Sequence, residues 1–160
     1  MKALTWIMVG LALTACAPQE PDTPVRDELA ERRAWLYGPQ GNARDITWSA
    51  SGLGIRVLTP GTGVAPGAND RVRVNYIAKL KDGQVIDDSR AKGPARDFVV
   101  NRLIPGWAEG IAALRPGGKA VLFIPPSLGY GNSGGGGLPA GAGLIFEVEL
   151  VAVNPPATPK

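Results

Sequence analysis

Three groups of side chains in this sequence have the chemical types that catalysis or ligand binding uses. Asp87-Asp88-Ser89 follows the apolar pair Val85-Ile86, Tyr130 stands between Gly129 and Gly131, and Cys16 is the single cysteine. A carboxylate beside apolar residues serves either as a pocket charge or as a cap for its own Asp88-Ser89 turn, and a tyrosine between glycines either bonds a ligand or anchors its loop. Histidine is absent. That removes Ser-His-Asp and Cys-His nucleophilic mechanisms and every His-ligated metal site. Residues 129–134 read Gly-Tyr-Gly-Asn-Ser-Gly after an apolar run, which satisfies the nominal dinucleotide fingerprint G-x-G-x-x-G. More glycines, Leu138 and Pro139 stand where that motif requires a helix, and no Gly-Lys-Ser/Thr follows for a phosphate loop. The stretch reads as a glycine flap, and no cofactor is expected.

The elements that position these groups fit one domain and a tail, since 160 residues do not support two cores. Lys and Arg number 17 against 14 acidic residues, with no dense basic cluster, so a nucleic-acid partner is not expected. Twenty-two glycines and 15 prolines point to many turns and short strands.

Residues 1–15 carry Lys2 and then an apolar run over 4–13. The run is too short for a membrane span of roughly 20 residues and has the proportions of a signal-peptide core. It ends in Leu13-Thr14-Ala15-Cys16, which resembles the lipobox of bacterial lipoproteins. That resemblance implies acylation of Cys16 and cleavage before it, and Ala17 as the next residue implies an outer-membrane anchor on the periplasmic face. An ordinary signal cleavage is the alternative; it leaves Cys16 as a thiol with no partner cysteine. Residues 16–22, with Pro18 and Pro21, read as a flexible tether. Residues 23–46 form a helical spacer and linker. Thr23 as N-cap, Pro24 at the first helical position and Asp27-Glu28 early predict a helix over about 24–36 that stops near Gly38-Pro39. Its stripe of Val25, Leu29 and Leu36, with Trp35 and Tyr37, suits packing on the domain or on a second copy.

Residues 47–153 form the main domain, and 154–160 a Pro-rich tail. Strand-like runs cover 53–58, 71–80, 84–86, 98–100, 119–124 and 144–153. In 71–80 the apolar set Val72, Val74, Tyr76, Ala78 and Leu80 alternates with Arg71, Arg73, Asn75 and Lys79, as a half-buried antiparallel strand requires. Lys81-Asp82-Gly83 carries the strongest short-range hairpin signal. In this region only 103–114 reads as a helix: Pro105-Gly106 turns into it, Trp107, Ile111 and Leu114 share a face, and Arg115-Pro116-Gly117-Gly118 stops it. Five to six antiparallel strands with one apolar face need a cover, and this helix is the internal candidate. The fold class is α+β.

The segments Val74-Asn75-Tyr76, Asp82-Gly83-Gln84-Val85-Ile86-Asp87-Asp88-Ser89, Leu103-Ile104-Pro105-Gly106-Trp107, Gly129-Tyr130-Gly131 and Leu144-Ile145-Phe146-Glu147-Val148-Glu149-Leu150 together resemble the FKBP-type peptidyl-prolyl isomerases. They follow the family's order over roughly 52–153. The resemblance implies a strongly curved antiparallel sheet wrapped around the short helix, with the active pocket between them. It implies Trp107 as floor, Tyr76, Phe98, Leu103, Ile104 and Phe146 as walls, the Ile104 N–H and the Tyr130 hydroxyl as donors to substrate carbonyls, and Asp87 as the pocket carboxylate. Proline-containing segments of unfolded exported proteins are the implied partners, with macrolides as further ligands.

The chemistry such a pocket must perform needs no nucleophile. Rotation about an X-Pro bond crosses about 18–20 kcal/mol because it breaks amide resonance. A dry aromatic cavity that favours the less polar twisted imide over the planar one lowers that barrier, and about 4–6 kcal/mol is roughly 10³–10⁴-fold in rate. Two departures from the family pattern stand out. Ile86 occupies a position where relatives usually carry a pocket phenylalanine, and the glycine-rich loop 132–137 leaves Leu138 as the rim contact. They motivate an alternative function, a peptide-binding or chaperone module with weak or no isomerase turnover.

Overall fold

The computed structural model describes residues 28–156 except Gly136. The expected signal segment, the expected acylation site at Cys16, the expected tether and Thr23 cap, and the last four residues of the tail lie outside the described residues. No helix among the described residues is long and apolar enough to cross a membrane.

Seven strands form one antiparallel sheet: β1 Thr47–Trp48, β2 Gly54–Thr59, β3 Arg71–Lys79, β4 Val85–Asp88, β5 Arg96–Val99, β6 Lys119–Ile124 and β7 Leu144–Val153. Their order is β1-β2-β6-β7-β3-β4, with β5 also on β3. The two helices are α1 Glu28–Tyr37 and α2 Pro105–Ala112. The sequence pattern gives five to six strands; the seventh is β1, two residues with no periodicity of their own. It is held by pairing Trp48 opposite Gly54, where any Cβ would stand 2.7 Å from the Trp48 ring.

The long strands follow their alternation. Val72, Val74, Tyr76 and Ala78 are buried along β3, and β7 lies beside it with Tyr76 opposite Val148 and Ala78 opposite Phe146. The polar face of β3 is tied down by ion pairs: Arg73 donates twice to Asp97, at 2.7 and 2.9 Å, and Lys79 reaches Glu147 at 2.5 Å. The 81–83 turn closes as the Asp-Gly signal requires, with Gly83 at φ +87° donating to the Leu80 carbonyl at 3.0 Å.

Several boundaries differ from the sequence reading by a residue or two, and those of two strands bear on the site. β4 runs two residues further than 84–86, because a register shift between Ala78 and Lys79 puts Asp87 opposite Ala78 and Val85 opposite Lys79. Asp87 therefore sits on a strand rather than in the turn after it. β5 begins two residues before Phe98 and ends at Val99, with Val100 starting a 3₁₀ turn.

Helix α2 is shorter than 103–114, with Ile104 as its cap and Pro105 at its first position. It lies on β6 at a distance that excludes side chains. A Cβ on Gly106 would stand 2.6 Å from Ile124 Cγ2, and one on Gly110 would stand 2.5 Å from Leu122 Cδ1. Four residues apart, the two glycines share the face that meets the sheet. Trp107, Ile111 and Leu114 are buried beside them in the main core with Val72, Val74, Leu122 and Phe146.

The sheet's other face is also covered. Leu36 and Tyr37, at the end of α1, pack with Ile46, Phe123 and Ile145, and Tyr37 meets Phe123 edge to face at 5.4 Å. Burying such side chains stabilises by about 1.5–3 kcal/mol each. Leu36, Tyr37 and Ile46 thus belong to the packing of this face of the sheet.

Candidate active site

Between α2 and the sheet lies an open cavity of about 300 Å³. Trp107, 5% exposed, forms its floor. Tyr76 from β3 and Phe98 from β5 meet the indole edge to face at 5.1 and 5.2 Å, and Phe146 from β7 tilts against it at 5.6 Å. These distances and angles match favourable aromatic packing, so the four rings hold one another in place. The Trp107 Nε1–H is buried with no acceptor among the described residues.

The rest of the lining comes from loops and edges. Leu103 and Ile104, ahead of α2, form one rim; Ile86 and Asp87 from β4 form the facing wall; Tyr130 and Leu138 stand at the mouth. The structure therefore brings together all ten residues singled out in the sequence besides Cys16. Ile86 makes its wall aliphatic. The Ile104 carbonyl accepts the Trp107 and Ala108 N–H groups at 3.0 Å each, which fixes the helix start. Among the described residues no backbone acceptor takes its own N–H. Tyr130 is 49% exposed. It belongs to a loop built of 3₁₀ turns and an isolated bridge from Gly135 to Leu138, with no α-helix among the described residues after the G-x-G-x-x-G glycines.

The polar wall is a chain of three groups. The Tyr76 hydroxyl donates to Asp87 Oδ2 at 2.7 Å, and Lys92 Nζ donates to Asp87 Oδ1. The Lys92 ammonium and then the Tyr76 hydroxyl hold the Asp87 carboxyl below its ordinary range. Burial first, and then Asp87, pushes the Tyr76 hydroxyl up to about 12. At neutral pH the wall therefore carries an ionised carboxylate and a neutral phenol that donates. The turn-cap role falls to Asp88, whose Oδ1 accepts the Arg90 N–H at 2.8 Å.

Sequence reasoning missed five residues. Ala78, Arg102 and Leu144 also line the cavity; Ala78 and Leu144 stand two positions from Tyr76 and Phe146, so strand alternation was signal enough. Lys92 ends a 3₁₀ turn, Arg90–Lys92, and gave no signal. Ser89 has a less obvious task. β5 pairs with residues 71–74 of β3 and β4 with 77–79, leaving Tyr76 in the gap along that edge. The fully buried Ser89 fills it: its Oγ accepts the Tyr76 N–H at 2.8 Å and its N–H donates to the Tyr76 carbonyl at 3.0 Å.

A short helix on an antiparallel sheet, with an aromatic box between them and one ion-paired carboxylate, defines a pocket that binds and orients rather than attacks. Residues 63–151 match the family model for FKBP-type peptidyl-prolyl cis-trans isomerase. The chain belongs to that family. It is 44% identical over 107 residues to the FKBP-type peptidyl-prolyl cis-trans isomerase FkpA of Aeromonas hydrophila, covering 67% of this chain and 40% of that protein. It is 46% identical over 109 residues to the FKBP-type 22 kDa peptidyl-prolyl cis-trans isomerase of Escherichia coli K12, covering 68% of this chain and 53% of that one. The chain thus spans about half or less of these relatives' length. The crystal structure of FkpA from Escherichia coli superposes with a TM-score of 0.72 at 38% identity, over 80% of this chain and 58% of that one. A peptidyl-prolyl cis-trans isomerase from Pseudomonas syringae pv. tomato superposes with a TM-score of 0.70 at 31% identity, over 85% of this chain and all of the other.

Proposed function

We propose that this chain is a peptidyl-prolyl cis-trans isomerase that turns X-Pro bonds of exported proteins while tethered to a membrane through lipid on Cys16. The observation that carries the activity is the Trp107 floor with three aromatic rings within 5.6 Å of it, in a family of prolyl isomerases.

The steps follow from the lining. A prolyl ring enters the box and sheds its water against Trp107, Phe98 and Phe146. The Ile104 N–H and the Tyr130 hydroxyl donate to substrate carbonyls and fix the chain on either side of the bond. Twisting the imide removes its resonance and lowers its dipole, so a dry apolar cavity holds the twisted form better than the planar one. Asp87, kept ionised by Lys92, anchors the Tyr76 ring and sets a fixed negative charge on one wall. No covalent step is involved.

The anchor reading rests on Leu13-Thr14-Ala15-Cys16, and the periplasmic face of the outer membrane on Ala17 after the cysteine. Stable anchoring takes more than one acyl chain, which a lipoprotein supplies. The aliphatic Ile86 wall favours a second reading, a module that holds peptides with little turnover. Conversion of a short X-Pro peptide by the purified full chain separates the two: clear acceleration supports the isomerase, and tight peptide binding at the buffer rate supports the holding module.

A further inference from the structure

We infer that a client chain is held at a second point beside the prolyl pocket, by a large apolar side chain seated in a groove faced by Trp35. This rests on the isomerase reading and extends it to substrate choice. The groove, about 210 Å³, lies where the end of α1 meets the 80–82 hairpin and the 139–143 loop. It is walled by Trp35, Leu36, Leu80, Pro139 and Ala140. Trp35 is 62% exposed, while its neighbours Leu36 and Tyr37 are buried on the sheet's back face. The exposure is built in. Gly143 lies against α1, where a Cβ would stand 2.8 Å from the Leu36 carbonyl, and the Lys81 ammonium sits 5.0 Å from the Trp35 ring centre. The polar neighbour is already engaged, since Asp82 Oδ1 accepts the Gln84 N–H at 3.0 Å.

Adjacency to the prolyl pocket identifies the occupant. The two cavities have no lining residue in common, but two segments run from one to the other. Leu138 and Leu144 line the prolyl pocket while the residues between them, 139–143, line the groove. In the other segment Ala78 lines the pocket and Leu80 the groove. Two residues of strand cover about 7 Å, which an extended client also spans in about two residues, so the seated side chain lies about two to four positions from the proline. The groove is smaller than ligand pockets of about 300–1,000 Å³ and suits one side chain rather than a helix or a second copy. Apolar walls select leucine- or phenylalanine-sized residues, the kind an unfolded chain exposes and a folded one buries.

The test uses the full chain in mild detergent and two peptide classes: a blocked tetrapeptide containing X-Pro, and a set of longer peptides with Leu or Ser placed two, three or four positions from the proline on either side. For the wild type, at least one Leu position should raise kcat/KM over its Ser counterpart about tenfold. Trp35→Ala, and Ala140→Arg as an independent block of the groove, should abolish that preference and leave tetrapeptide kcat/KM within about twofold, because neither residue lines the prolyl pocket. Loss of Leu preference in the wild type at every position, or its survival in both variants, overturns the groove. Failure of the wild type to convert even the tetrapeptide counts against the isomerase reading instead. In that case peptide affinity, read by fluorescence anisotropy, still decides the groove by the same Leu-to-Ser comparison in the wild type and both variants.

Discussion

Tyr76→Phe isolates the polar half of the pocket wall from its aromatic half. The ring keeps its contacts with Trp107 at 5.1 Å and with Phe98 and Phe146 at 6.2 Å each, so only the hydroxyl that donates to Asp87 at 2.7 Å is removed. Hydrogen bonds to charged groups contribute about 1.5–3 kcal/mol. Asp87 keeps Lys92 as a partner, and its side chain is 31% exposed, so water replaces part of the loss. The loss therefore falls at or somewhat below the lower end of that range: about 1–1.5 kcal/mol, or roughly 3–6 °C in Tm for a domain of this size. The pH dependence gives the sharper reading. The Asp87 carboxyl titrates below its ordinary range when folded, so its contribution is fully present above the unfolded value of about 3.9 and is lost as pH falls through the folded value. Urea unfolding of wild type and variant at pH 7 should show the gap, and the same pair near pH 3 should show it narrowed. Equal stability at pH 7, or a gap that widens in acid, would refute the assignment of the Tyr76–Asp87 bond as a charge-assisted one.

Three further outcomes follow from the packing and the sequence. Gly110→Ala puts a methyl 2.5 Å from Leu122 Cδ1 and should cost about 1–2 kcal/mol in urea unfolding, because overpacking exceeds the gain in helix propensity; a stabilised variant would mean α2 moves freely on β6. Tyr37→Phe removes a buried hydroxyl that has no partner among the described residues, so it should leave stability unchanged or raise it by about 1 kcal/mol. A clear loss would reveal a bond to that hydroxyl. Cys16→Ser should move the protein from the membrane to the soluble fraction on cell fractionation, and unchanged membrane retention would count against the lipid anchor.

What was legible in the sequence was what repeats along it. β3 and β7 announce themselves by alternation, α2 by Trp107 and Ile111 on one face with Leu114 just past its end, and the hairpin by Asp82-Gly83. The pocket residues became legible together through the family resemblance, not through periodicity. What escaped depends on contacts between distant segments. The docking of Tyr37 exists only because pairing of β6 with β7 sets Phe123 beside Ile145. β1 forms because Gly54 leaves room for Trp48. The place of Asp87 on β4 follows from a register shift at Ala78, and Lys92 reaches it from a 3₁₀ turn that carries no sequence pattern. Sequence alternation counts residues in a regular strand and cannot foresee the extra one that a bulge inserts.

The central claim is that the aromatic box around Trp107 lowers the barrier to prolyl rotation. Its most direct test is the rate of cis-to-trans conversion of a short X-Pro peptide by the purified full chain, beside Trp107→Ala and with folding checked by circular dichroism. The wild type should cut the uncatalysed time of tens to hundreds of seconds by a factor that grows with enzyme concentration, and folded Trp107→Ala should lose at least about tenfold in kcat/KM. A folded wild-type chain that leaves the peptide at the buffer rate, or a Trp107→Ala variant as fast as wild type, would contradict it.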